Sequence, residues 1–140
     1  MRIAIVEDEQ FFADELIEYA SRFSRECQET VQCQHFESSV AFLSAYQPTW
    51  DLLLLDIEMP YMDGMTLARK IREIDPDVLL IFITNVAKYA MSGYEVAALD
   101  YVLKPVNYYA FSMKLRRCLS LLETKHKNYI IVQGNGFIRK

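Results

Sequence analysis

The stretch Leu52-Leu53-Leu54-Leu55-Asp56-Ile57-Glu58-Met59-Pro60 decides the fold, because four leucines run without a polar break into a single carboxylate. A strand that is apolar on both faces belongs inside a parallel sheet covered on both sides. Its last residue, Asp56, then emerges at the carboxyl edge, where open α/β sheets place their ligands. Pro60 and the pair Asp63-Gly64 follow closely, so the chain leaves the strand in an irregular loop instead of entering a helix at once. On this reading Asp56 is an edge residue, exposed and charged.

Outward from that strand, apolar runs alternate with helical periodicity. Before it come a strand Arg2 to Val6, an amphipathic helix Phe11 to Arg25, and a weaker, alternating strand Val31 to Phe36 suited to an edge. Ser38 or Ser39 caps a short helix carrying Val40, Phe42 and Leu43, and Pro48 closes it. After the strand, Leu67, Ala68, Ile71 and Ile74 mark a helix from about Met65 to Ile74, which Asp75-Pro76 stops. Val78 to Ile83 is a fourth strand ending in Thr84-Asn85, and a helix around Lys88 to Ser92 follows with Gly93 as its C-cap. Tyr101 to Leu103 is the fifth strand, ended by Lys104-Pro105, and Tyr109 to about Lys125 is a long last helix. Five strands alternating with five helices predict a flavodoxin-like, doubly wound parallel sheet of order 2-1-3-4-5.

Size and composition agree with this. A chain of 140 residues, 52% hydrophobic, is one domain's worth with ample core material. The net charge of -4 hides an asymmetry: through Val106 there are 8 Lys and Arg against 18 Asp and Glu, and from Asn107 onward 7 basic residues against 1 acidic. An acidic body is a poor surface for nucleic acid, which needs clustered Lys and Arg. Cys27, Cys33 and Cys118 are odd in number and lack zinc-ligand spacing, which fits reduced thiols. No apolar run reaches the roughly 20 residues that span a bilayer, so the protein is expected to be cytoplasmic and away from membranes.

The unusual polar residues all fall at carboxyl ends of strands: Glu7 and Asp8 after the first, Asp56 after the third, Thr84 after the fourth, Lys104 after the fifth. Three acids at one edge repel one another unless a cation joins them, and an all-oxygen site suits Mg²⁺ better than zinc. With charge neutralised in this way, Asp56 on the central strand is the best placed nucleophile toward phosphorus. Lys104 can pair with an anionic oxygen and the Thr84 hydroxyl can donate to another.

Those residues resemble a bacterial response-regulator receiver domain over about Met1 to Glu123. The motifs are Val-Glu-Asp after the first strand, Leu-Leu-Asp-Ile-Glu-Met-Pro with Asp-Gly shortly after, Thr ending the fourth strand and Lys-Pro ending the fifth. The resemblance implies Glu7, Asp8 and Asp56 as Mg²⁺ ligands, Glu58 as a ligand through its backbone carbonyl, and Asp56 as the residue phosphorylated by a sensor histidine kinase. It implies Thr84 and Lys104 as phosphoryl contacts, and Tyr101 as the aromatic that turns inward on activation. Homodimerisation through the fourth helix, fifth strand and fifth helix would follow. Glu7 stands for the family's usual Asp. Asn85 departs from the pattern, standing where members usually carry a smaller residue, and bears on the rate of phosphoryl entry.

The segment Lys88 to Pro105 is similar to regulators whose receiver precedes a LytTR DNA-binding domain. We therefore set the receiver at 1–124, and 125–140 as a linker and the first hairpin of a C-terminal domain whose remainder, with its DNA contacts, is missing from this chain. Tyr129 to Lys140 reads as two short strands around an Asn135-Gly136 turn. Three rivals stand beside this: a haloacid dehalogenase-type phosphatase, whose nucleophile ends the first strand instead; a flavin-mononucleotide binder, for which no Ser/Thr/Gly-rich loop is present; and a receiver-like interaction module that is never phosphorylated.

Overall fold

The computed structural model describes residues 1–135, with side chains through position 125. The elements run β1 (Arg2–Val6), α1 (Gln10–Cys27), β2 (Gln32–Phe36), α2 (Ser39–Ser44), β3 (Leu52–Leu55), α3 (Gly64–Ile74), β4 (Leu79–Thr84), a 3₁₀ helix (Ala90–Val96), β5 (Asp100–Leu103) and α4 (Tyr108–Asn135). The sheet is parallel with order β2-β1-β3-β4-β5, as the unbroken leucine run predicts.

The two faces of the central strands divide the core. Ile3, Ile5, Leu52, Leu54, Ile81 and Ile83 pack against α1 and α4, whereas Ala4, Val6, Leu53, Leu55, Leu80 and Phe82 pack against α2, α3 and the 3₁₀ helix. Apolar residues at both parities of a strand are what burial on two sides requires. Ser38 is the cap of α2, its Oγ accepting the Ala41 N–H at 3.2 Å. Asp63 caps α3 by accepting the Thr66 N–H at 2.7 Å.

Three expectations need correction. The fourth helix is a 3₁₀ helix over Ala90–Val96, and its C-cap is Ala97 in the left-handed region (φ 52°), with Gly93 buried inside it. Its buried residues, Gly93 and Val96, are three apart, the period of a 3₁₀ turn. Asp56 is buried, at 6% exposure, because the neighbouring strand ends and the loop after it close around the carboxylate. The C-terminal hairpin is not shown among the described residues: α4 continues through Asn135 where its first strand is expected, and 136–140, with the second strand, lie outside them. Among the described residues, no helix is long and apolar enough to cross a membrane, and the three cysteines are free thiols.

Candidate phosphoacceptor site

The sheet register brings the site together. Val6 pairs with Leu55 across β1 and β3, and Thr84 with Leu103 across β4 and β5. The ladder then continues one residue past each strand: Glu7 N–H to Phe36 O at 3.0 Å, Asp56 N–H to Val6 O at 3.0 Å, Lys104 N–H to Thr84 O at 2.8 Å. Glu7, Asp56 and Lys104 therefore end their strands at one level. Alternation places all three on the α1 side of the sheet.

Their charged ends meet there. Lys104 Nζ donates to Glu7 Oε1 at 2.6 Å and to Asp56 Oδ2 at 3.2 Å. The other carboxylate oxygens are also held, Asp56 Oδ1 by the Ile57 N–H at 2.7 Å and Glu7 Oε2 by the Glu9 N–H at 3.2 Å. Burial pushes the Glu7 carboxyl up to about 7, against the pull of the Lys104 hydrogen bond and with the help of the Asp56 charge. Burial lowers the Lys104 pKa, but the Glu7 hydrogen bond and the Asp56 charge more than offset it and leave the ammonium above its ordinary value.

Glu7, Asp8 and Asp56 each offer an oxygen, and the three lie within 4.8 Å of one another. Ligand oxygens around an octahedral Mg²⁺ at about 2.1 Å are separated by about 3–4 Å, so a small adjustment brings these three onto one ion. The donor set also fits, being all oxygen, with exposed Asp8 leaving room for retained water. Glu58 lies outside this carboxylate cluster with its side chain exposed.

Thr84 and Tyr101 lie on the opposite side. Thr84 is fully buried and continues the row of Leu80 and Phe82, and its Oγ1 accepts the Val86 N–H at 3.3 Å. The Tyr101 hydroxyl donates to the Val86 carbonyl, while its ring packs on Phe82 at a centroid distance of 5.8 Å. Both residues thus grip Val86, one at its N–H and one at its carbonyl. Asn85 between them is exposed.

Sequence reasoning missed three contributors and read a fourth, Gly64, only as a turn residue. Gly64 lies so close to β3 that a Cβ there would be 1.8 Å from the Asp56 carbonyl oxygen. Phe12 lies over the Lys104 ammonium. His35 Nε2 lies 2.7 Å from the Glu7 carbonyl oxygen. Arg72 binds carbonyls at both ends of the β4–β5 region, Val78 O at 2.6 Å and Val96 O at 2.6 Å. Only Gly64 left a sequence signal, as the Gly after an acid in the loop following Asp56.

A parallel 2-1-3-4-5 sheet that gathers three acids and one lysine at its carboxyl edge defines a class, and the chain belongs to it: residues 3–116 match the response regulator receiver domain family. The chain is 31% identical over 128 residues to the sensory transduction protein LytT of Oceanobacillus iheyensis, covering 89% of this chain and 50% of that protein. It is 30% identical to LytR of Streptococcus agalactiae, covering 86% of this chain and 49% of that protein. The chain thus spans about half the length of the curated relatives it matches. The crystal structure of the response regulatory domain of mrkE from Klebsiella pneumoniae superposes with a TM-score of 0.77 at 26% identity, over 89% of this chain and 99% of that one.

Proposed function

We propose that Asp56 accepts a phosphoryl group from the phosphohistidine of a sensor kinase, with Mg²⁺ held by Glu7, Asp8, Asp56 and the Glu58 backbone carbonyl. The observation that carries this reading is the Lys104 ammonium bound to both Asp56 and Glu7 beside Asp8. Two buried carboxylates against one ammonium leave the site short of positive charge, as a cation-binding pocket requires. The bound ion supplies charge neutralisation on the phosphoryl oxygens. An Asp56 carboxylate oxygen forms the new bond to phosphorus as the phosphorus–nitrogen bond of the donor breaks, and the electron pair leaves with the imidazole. Lys104 then turns the N–H that it donates to Asp56 Oδ2 toward a phosphoryl oxygen.

The new dianion draws the Thr84 hydroxyl inward, which releases the Val86 N–H, and Tyr101 follows into the space. Two charge-assisted hydrogen bonds contribute about 3–6 kcal/mol. A two-state balance needs about 5.5 kcal/mol to invert from 1:99 to 99:1. The output is a changed face over the 3₁₀ helix, β5 and α4, where Met91, Tyr94 and Tyr109 are exposed and a second copy binds. In this reading the chain is the cytoplasmic receiver of a longer regulator whose LytTR-like DNA-binding domain lies outside it, as the similarity to LytT and LytR supports.

Intact mass tests it. Incubation with acetyl phosphate and Mg²⁺ adds one phosphoryl group and shifts the chain toward dimer on sizing, and Asp56→Asn takes none. A wild-type chain that stays at its starting mass, or an Asp56→Asn chain that still gains one group, overturns the reading.

A further inference from the structure

Lys104 has a third partner besides its two carboxylates. An ammonium carries three N–H bonds, and two are engaged by Glu7 and Asp56. Against the remaining side lies the ring of Phe12, its centroid 3.9 Å from Nζ. The Lys104 side chain is only 4% exposed, so an aromatic face stands where water would otherwise solvate the charge. A cation over a ring face is attracted by the ring's quadrupole, and more so when desolvated.

The helix that carries Phe12 is itself fixed to the lysine's strand end. Phe12 lies in the first turn of α1, four residues after Asp8, and Leu16 and Tyr19 share its face at helical spacing. Leu16 is buried in the core between α1 and α4. The Tyr19 hydroxyl donates to the Val106 carbonyl at 2.9 Å. One face of α1 therefore holds the β5–α4 junction at two levels, at the charged tip of Lys104 and at the backbone two residues beyond it.

We infer that Phe12 is a positioning residue for phosphoryl transfer, acting through Lys104. Its ring confines the ammonium between the two carboxylates, so the N–H that Asp56 gives up on phosphorylation can turn only toward the phosphoryl oxygen. This role rests on the phosphoacceptor reading above. An aliphatic side chain of similar volume fills the space but does not attract the cation, so the aromatic character is the determinant. Lys104 also bonds Glu7 and Asp56, two of the proposed Mg²⁺ ligands, so the role is read from the transfer rate at saturating Mg²⁺, where metal occupancy is held constant.

The test uses the full chain as wild type, Phe12→Leu, Phe12→Tyr, Lys104→Ala and the double variant Phe12→Leu/Lys104→Ala. Mass gain from acetyl phosphate is followed in time, each variant at a Mg²⁺ concentration that calorimetry shows to saturate it. Phe12→Leu slows mass gain about tenfold and Phe12→Tyr stays within about twofold of wild type. In the Lys104→Ala background Phe12→Leu has no further effect. Phe12→Met serves as the aliphatic arm if the leucine variant does not fold. Equal rates for Leu and Phe, or the same slowing without Lys104, overturns the role. If wild type gains no phosphoryl group the phosphoacceptor reading fails and takes this role with it, whereas a phosphorylated wild type that is indifferent to leucine refutes Phe12 alone.

Discussion

Two connections leave the carboxyl edge of the sheet side by side, and they are built differently. The one from β3 to α3 is fixed by its own backbone: Gly64 N–H bonds to Ile57 O at 2.8 Å, Met62 N–H to Pro60 O at 2.8 Å, and Asp63 caps the helix. Ile57 within it is buried at 1% exposure. The one from β4 to β5 crosses a 3₁₀ helix, whose hydrogen-bond geometry is poorer than that of an α-helix. It is held at its ends by three side chains from outside it, Thr84 and Tyr101 on Val86 and Arg72 on Val96 and Ala97. Met91 and Tyr94 on its surface are 77% and 82% exposed. On the proposed function, the rigid connection presents the reacting carboxylate, and the side-chain-anchored one takes two positions as its anchors change partners.

The largest effect that would break this contrast is expected at Gly64. An alanine Cβ there would meet the Asp56 backbone carbonyl at 1.8 Å, and backbone cannot swing aside as a side-chain tip does. Gly64→Ala should cost about 3 kcal/mol or more by urea denaturation and lose phosphoryl uptake as well. A variant as stable as wild type would mean that the β3–α3 connection is not fixed.

Arg72 comes next. Its Nε donates to Val96 O at 2.6 Å, and its Nη1 and Nη2 donate to Val78 O at 2.6 Å and Ala97 O at 3.3 Å. Arg72→Met keeps the apolar stem but leaves these carbonyls without their donor, at a cost of about 2 kcal/mol. Hydrogen exchange should quicken over 90–98 and stay unchanged over 57–64. Equal acceleration in both segments would show that the two connections are one unit.

The fold was legible because local and global signals agree: Leu52–Leu55 and Leu79–Thr84 are apolar at both parities, which only a doubly covered strand allows. The gathering of Glu7, Asp8, Asp56 and Lys104 followed from the strand order alone. What escaped depends on partners distant in sequence. The burial of Asp56 requires Lys104, 48 residues away, and Phe12 and Arg72 look like ordinary residues of amphipathic helices until the fold sets a charge or a carbonyl before them. The 3₁₀ helix escapes because a glycine reads as a stop signal, whereas Gly93 sits buried inside the helix at a place where even a Cβ would be in ordinary contact with Ala98 and Tyr101.

Tyr101 gives the smallest effect and tests the mobile side most directly. Its hydroxyl must be protonated to donate to the Val86 carbonyl. Burial raises its pKa, the backbone around Tyr89 lowers it, and the Asp56 charge raises it again, so the phenol ionises above its ordinary range. The contribution of this bond is therefore complete below the unfolded phenol's pKa of about 10, and it is lost as pH rises through the higher folded value. Tyr101→Phe should cost about 1 kcal/mol at pH 7, and the difference from wild type should shrink above pH ~10. The same substitution should speed amide exchange at Val86 and leave Ile57 and Gly64 as they were, since only the β4–β5 connection depends on that hydroxyl. A stability difference independent of pH would assign the effect to ring packing on Phe82, and Tyr101 would then hold the segment through its ring and not through its hydrogen bond.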